Sequence, residues 1–491
     1  MIKPGFSFLL FLQLFIISFT SSSLFSQEWM APVNVSNMPN HLNQAADLVI
    51  DHSGVLHVVW TMRMSSSWWK IMYSNSDDDG LTWSEPLDLL QNIDLWMASP
   101  KIACDSKDYL YVTYTYNKMN IPEMMVKMVV FDGHEWSDPI LVSEGMPGSD
   151  YNKVVVDNND RVFVFWYLYS YYTYYRILDG NLWSEFYCPF CDSTDIYLVS
   201  EHTKGISNDN FIKWSGVSAS VNYFGERAQY YELNISSNVW EYPELISNDT
   251  MNVHIDISRN SNNIPVCVYR KISEINYTAS DSTKYVQKEG NYWGNPELVA
   301  GTKRTQVNQK IAIDQNNDKH IVEAEFNNNS THLMHYRTSK NLWFGSIIDS
   351  STNFCNPTKL LFHQDKLYLV YFKDSIPGTP DDDIFFTKYD IVTGKTEQPG
   401  SLAELKIYPN PASGSISIEF ENKNEQEIEL SVYDITGRHI ITLINKNIPP
   451  GVQQILWNGK DKNGKEVKSG SYLVRLSYGR DFVSKTVEIV R

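Results

Sequence analysis

The sequence predicts an all-β protein: a seven-bladed β-propeller followed by a small β-sandwich. Three observations carry this reading. Tryptophans recur at a near-constant interval, strand-turn-strand phrases fill the space between them, and the composition changes after residue 404. The tryptophans are Trp29, Trp83, Trp136, Trp183, Trp240, Trp293 and Trp343, spaced 54, 53, 47, 57, 53 and 50 apart. A fixed period of this size marks a propeller or solenoid.

Residues 1–26 read as a secretory signal, with Lys3 in the charged region, an apolar run from Phe6 to Phe19, and small residues before Gln27. The run is too short for a comfortable membrane span. No later stretch has the length and apolarity of a span, so the mature chain is expected outside the cytoplasm, reached through the periplasm. The propeller is assigned to 27–394. Each repeat opens with Trp, and five carry Pro three residues on: Pro32, Pro86, Pro139, Pro243 and Pro296. Trp183 and Trp343 lack it.

Between tryptophans, residues 48–51 and 55–60 read as strand, turn, strand, and the phrase recurs at 101–105, 153–157 and 310–314 with their partners. Strands are rich in Val, Ile, Tyr and Phe, and the turns in Asp, Asn, Ser and Gly. No long stretch has helical periodicity. Each repeat supplies four strands, the content of one blade. Trp29 opens an outer strand with no inner strands before it, and 357–392 supply three strands with no outer one. Joining them closes a ring of seven. The alternatives are an open array, or six blades and a divergent repeat.

The phrase Ser76-Asp77-Asp78-Asp79-Gly80-Leu81-Thr82-Trp83 resembles the Asp-box of sialidase-like propellers. The motif is a tight hairpin that aids folding and carries no catalysis. The resemblance covers roughly 28–394 at fold level. It does not extend to sialidase chemistry: that family has an Arg-Ile-Pro motif and an arginine clamp for a carboxylate. Here the nearest phrase is Asn263-Ile264-Pro265, and no inner strand carries an obvious Arg.

Residues 395–404 read as a linker. Residues 405–491 hold 12 Lys and Arg against 10 Asp and Glu, a net of +2, while the remainder carries 29 − 48 = −19. Alternating strands separated by Asn463-Gly464 and other glycine turns make a small sandwich. The phrases Tyr408-Pro409-Asn410-Pro411, Val432-Tyr433-Asp434, Trp457-Asn458-Gly459-Lys460-Asp461 and Ser469-Gly470-Ser471-Tyr472 resemble the type A carboxy-terminal sorting domain of the type IX secretion system, found in Bacteroidetes. The Trp457 phrase also resembles the Ig-like module of flagellar hook-capping proteins. This implies a secreted or cell-surface protein whose partner is the type IX machinery, through residues 405–491.

The net charge of 41 − 58 = −17 argues against nucleic acid, which needs a basic face. It also argues mildly against a polyanionic substrate. The candidate ligand surface is the loop face opposite the Asp-box turns. Its residues are Trp68, Trp69, Trp96, Tyr169, Tyr171 and Tyr172, whose rings suit stacking on sugars, with Arg63, Arg227 and Arg270 as charged partners. Packing between sheets is the competing role for each ring. No catalytic residue is assigned, and no cofactor or metal is expected. Cys188-Pro189-Phe190-Cys191 is a local disulfide or a pair of packed thiols. Asp381-Asp382-Asp383 lacks the spacing of an EF-hand. Two functions remain: binding of an extracellular glycan or protein, or a glycoside hydrolase or polysaccharide lyase on the same frame.

Overall fold

A computed structural model describes residues 29–391 and 405–491, apart from 40, 65–67, 92–98, 118–123, 169–171, 190, 192–203, 208–210, 219–226, 242–243, 248–251, 272–280, 303–304, 328–329, 340–341, 353, 375–381, 423, 435–437 and 479–480. The signal assigned to 1–26 and the linker assigned to 395–404 lie outside the described residues. The described residues are all-β, and no helix among them is long and apolar enough to cross a membrane.

Among the described residues, the repeats fold as successive antiparallel meanders, numbered first to seventh in ring order from Leu42. The first comprises Leu42–Ile50, Leu56–Arg63, Trp69–Ser76 and Leu87–Asp88. The second, third, fourth, fifth and sixth begin with the inner strands Lys101–Cys104, Ser149–Val156, Lys204–Ser207, Asn252–Arg259 and Thr305–Ile313. The seventh holds Cys355–His363, Lys366–Asp374 and Asp382–Asp390, and takes its fourth strand, Val33–Asn34, from the start of the chain.

The second strands are buried along nearly their whole length, as strands packed on both faces must be. Apolar side chains fill each space between neighbours. Tyr73 and Val112 join the first sheet to the second, Tyr230 and Tyr269 the fourth to the fifth, and Val58, Val370 and Phe386 the last back to the first. The repeat tryptophans are wedges. Trp136 meets Tyr73 at 5.1 Å, Trp293 meets Tyr230 at 5.4 Å, and Trp83 meets Phe386 at 5.2 Å, each against the preceding sheet of the ring. An Asp or Asn at the end of the inner strand caps the turn that follows. Asp51, Asp105, Asp157, Asn260 and Asp314 each accept the amide four residues on.

The ring is closed at two levels, within the seventh sheet and between that sheet and the first. Asn34 pairs with Phe385 and Val33 with Phe386, and the Ser36 hydroxyl and Asn34 amide donate to Asp383 at 2.7 and 2.9 Å. In the turn at 76–83, the Gly80 amide donates to Ser76, and the Thr82 amide and hydroxyl donate to Asp78. That turn holds Asp79 in a left-handed conformation (φ 63°) against the seventh sheet. There its carboxylate meets Lys366 at 2.6 Å, the Tyr368 hydroxyl at 2.8 Å, and Lys388. Gly80 is required: a Cβ there would enter the ring of Phe386.

The carboxy-terminal module has a three-stranded sheet (Lys406–Tyr408, Ile416–Asn422, Gly451–Trp457) facing four strands: Gln426–Asp434, His439–Ile448, Gly470–Tyr478 and Asp481–Ile489. Ile418, Phe420, Leu430, Val474 and Val487 form their common core. The sequence places a boundary before this module, yet the sheet does not end there. Asp481–Ile489 pairs with Leu342–Ser351, the outer strand of the sixth sheet, making one eight-stranded sheet.

Partial burial by itself would raise the Asp79 carboxyl, but its two lysines and Tyr368 hold it below the ordinary carboxylate range. A depressed carboxylate stabilises the fold above its unfolded pKa of about 4, and that contribution disappears as pH falls through the folded value. Asp79→Asn is therefore expected to lower the melting temperature by about 1–3 °C at pH 7, the partial exposure keeping the effect small. Calorimetry across pH checks this. Parent and variant should converge in acid, and a constant difference down to pH 2 (about two units below the unfolded value) would refute the role.

Candidate functional site

The innermost strands carry β-bulges. Register breaks between Gln44 and Asp47, Asp150 and Lys153, Val253 and Ile255, Gln306 and Lys310, and Pro357 and Lys359. At four breaks one residue takes a positive φ: Ala45 (54°), Tyr151 (50°), His254 (53°) and Asn308 (80°). A bulge adds one residue to one strand and re-aims the side chains after it. The re-aimed residues are Asp47, Lys153, Asp256, Lys310 and Lys359. With Lys101, which opens the second inner strand, they line a central cavity of about 480 Å3.

The two aspartates tie neighbouring sheets together. Asp47 accepts the Ile102 amide at 3.2 Å, and Asp256 accepts the Ile311 amide at 2.9 Å. Lys359 adds an ion pair to Asp47 at 2.9 Å. Burial acts to raise the Asp47 carboxyl, and Lys359 and Lys101 more than offset it. By formal charge, four lysines against two aspartates give the cavity an excess of 4 − 2 = 2 before any proton is lost. Lys153 bears the cost. Its enclosure, then the charges of Lys101, Lys310 and Lys359, push its pKa well below the usual lysine range, against the pull of Asp47. Tyr151 and Phe372 present rings to the cavity, and Gln44, Ser99, Asn308 and Asn356 present polar groups. Tyr151 is exposed and meets Tyr167 edge-on at 5.9 Å.

None of the residues lining the cavity is one of the individual candidates. Arg63 stands over the Trp69 ring at 5.7 Å, and Trp69 packs on the core between the first two sheets. Trp68 is half-buried, and Tyr172 is exposed at 38%. Arg270 corrects the loop reading. It lies in Pro265–Lys271, is buried between sheets, and its charge opposes the burial that raises the Glu323 carboxyl to about 8. Arg227 opens the strand Arg227–Asn234, its side chain outside the described set. Trp96, Tyr169 and Tyr171 lie outside the described residues. Tyr167 and Tyr175, from the same aromatic run, are buried as packing.

The lysines were missed as a group, although the repeat shows them. The phrases at 101–105, 153–157 and 310–314 each open with Lys. At the other end of the inner strands, His52, Cys104 and Asp108 bring ligand atoms within 4.8 Å of one another. Asp108 there accepts the His52 amide at 2.7 Å and the Ser53 hydroxyl at 3.1 Å, and burial with nearby carboxylates pushes the Cys104 thiol up to about 12. The trio serves as a clamp between turns. The Asp382 and Asp383 side chains accept hydrogen bonds from Gln44 and from Asn34, Ser36 and Asn43. Cys188 and Cys191 form a disulfide.

Residues 406–490 match the family described as the secretion system C-terminal sorting domain. The propeller-type fold has structural counterparts. A polysaccharide lyase of family PL25, an ulvan lyase, superposes with a TM-score of 0.50 at 10% identity, covering 74% of this chain and 93% of that one. The intramolecular trans-sialidase of Ruminococcus gnavus gives 0.42 at 10% identity over 61% and 94%. The GH93 α-L-arabinofuranosidase of Fusarium graminearum gives 0.43 at 11% identity over 74% and 98%. No curated protein matches the chain in sequence.

A lysine whose folded pKa is depressed destabilises the fold wherever the unfolded chain would hold its proton. Lys153→Met is thus expected to raise the melting temperature at pH 7, with the gain vanishing above the unfolded pKa of about 10.4. A scan of melting temperature against pH tests this, and an unchanged or lowered value at pH 7 would count against a strained ammonium cluster.

Proposed function

We propose that the chain is an exported, secreted or surface-held seven-bladed propeller that binds an acidic extracellular glycan at its central cavity. Residues 405–491, an Ig-like sandwich in this reading, address it to the type IX secretion machinery; the family match at 406–490 supports export. The observation that carries the ligand reading is the convergence of Lys101, Lys153, Lys310 and Lys359 on one cavity. Four ammonium groups packed together are costly without a ligand, and an anion repays that cost through charge-assisted contacts. Net charge hides the site, because the surplus is local and walls of low dielectric focus it. Rings at Tyr151 and Phe372, beside amide groups, suit a sugar that needs both a flat face and hydrogen bonds. Trp68, Arg63 and Tyr172 extend this surface in the proposal.

Calorimetry with uronate-bearing, sulfated and neutral oligosaccharides of equal length tests it. Acidic chains should bind and neutral ones should not. Lys101→Gln and Lys310→Gln should each weaken binding by about tenfold, the equivalent of about 1.4 kcal/mol. Equal binding of neutral chains, or indifference to both substitutions, would overturn the reading.

A second reading, a polysaccharide lyase, is favoured by Lys153 itself. An amine with a depressed pKa is suited to remove the C5 proton next to a uronate carboxylate, the C4–O bond breaking to form the C4=C5 double bond while the Tyr151 hydroxyl gives a proton to the departing oxygen. Ultraviolet absorbance of such ends in the same mixtures separates lyase from binder.

A further inference from the structure

The outer edge of the sixth sheet differs from the others. Elsewhere the outer position is filled by segments of two to six residues, such as Leu87–Asp88, Ile140–Leu141, Leu182–Trp183 and Glu297–Thr302. Here it is the ten-residue strand Leu342–Ser351. In five repeats a Pro three residues after the tryptophan interrupts the outer segment, which stays short, as it does after Trp183 without one; after Trp343 that position is Ser346 and the strand is continuous. A long edge of this kind is a template for another strand.

The edge is also shaped for one partner. Gly345 lies opposite Phe482, and any Cβ there would enter the Phe482 ring. Phe482, from the carboxy-terminal module, is 2% exposed and joins the core between the fifth and sixth sheets, 5.6 Å from the Tyr336 ring. Phe344 does the reverse, entering the core of the module beside Val483. Charge agrees: Glu325 of the sixth sheet is enclosed, which raises its carboxyl, and Arg475 of the module opposes that. The whole module is +2 against −19 for the rest of the chain.

We propose that Leu342–Ser351 is a built docking edge for the chain's own last strand, latching the sorting module to the folded propeller. Strand addition supplies main-chain bonds and the Gly345–Phe482 fit supplies selectivity. The groove that receives Phe482 exists only between two finished sheets, so the module takes its docked place only on a folded propeller.

The test uses the full chain with a protease site placed within 395–404 and cut after folding. The two fragments of the parent should co-elute on size exclusion at micromolar concentration. Gly345→Leu should separate them, and so should Phe482→Ala, which leaves the propeller sequence untouched and excludes its misfolding as the cause. Hydrogen exchange at Asp481–Ile489 should rise at least tenfold in both variants. Prompt separation of the cut parent would overturn the latch, as would fragments of both variants holding together as the parent's do.

Discussion

A ring of sheets stands or falls at its seam, and here the seam lies within the seventh sheet, where Val33–Asn34 pairs with Asp382–Asp390. Every other junction joins neighbours in sequence, so the connecting loop keeps the partners close. This one joins Asn34 to Phe385 across the length of the propeller and needs bonds of its own. It has a backbone ladder, a set of donors on Asp383, and the lysine-bound Asp79 projecting from a hairpin on the opposite side. With the seam closed, the inner strands surround a common cavity and their bulges face one another. With it open, the lysines would have no enclosure and no mutual repulsion, and the site would not exist.

The site shows how a fold concentrates charge against the average of its own surface. Six charged residues at matching places in successive inner strands converge, although none is near another in sequence. The two aspartates are taken up partly by neighbouring backbone amides, so the lysines dominate the charge that lines the cavity.

Much of the architecture was legible in the sequence. The tryptophan period marked the repeats because each ring wedges against the preceding sheet, a role no smaller side chain fills. Trp29 could be placed on the last sheet because it lacked inner strands of its own. The site was less legible. Aromatic density pointed to Trp69 and the run at 166–175, yet a two-sided strand buries rings for packing whatever its function, and Tyr167 and Tyr175 went there. Arg270 looked like a loop charge because it stands next to the last residue of the strand Pro265–Lys271, which buries it. The lysines escaped notice because a bulge is a property of two paired strands, and one lysine per phrase looks like an ordinary polar position. The docking of the module was hidden likewise: a missing Pro after Trp343 reads as a worn repeat until the strand opposite is seen.

The seam also dictates an order of events in time. Val33 and Asn34 are made well before their partners Phe386 and Phe385, which come some 385 − 34 = 351 positions later. The earliest strand must therefore wait, unpaired, while nearly the whole propeller is synthesised. Contacts this distant in sequence form late and slowly, because loop closure must precede any gain from pairing. The ring consequently cannot assemble progressively from its amino-terminal end; its last step is the capture of its own beginning.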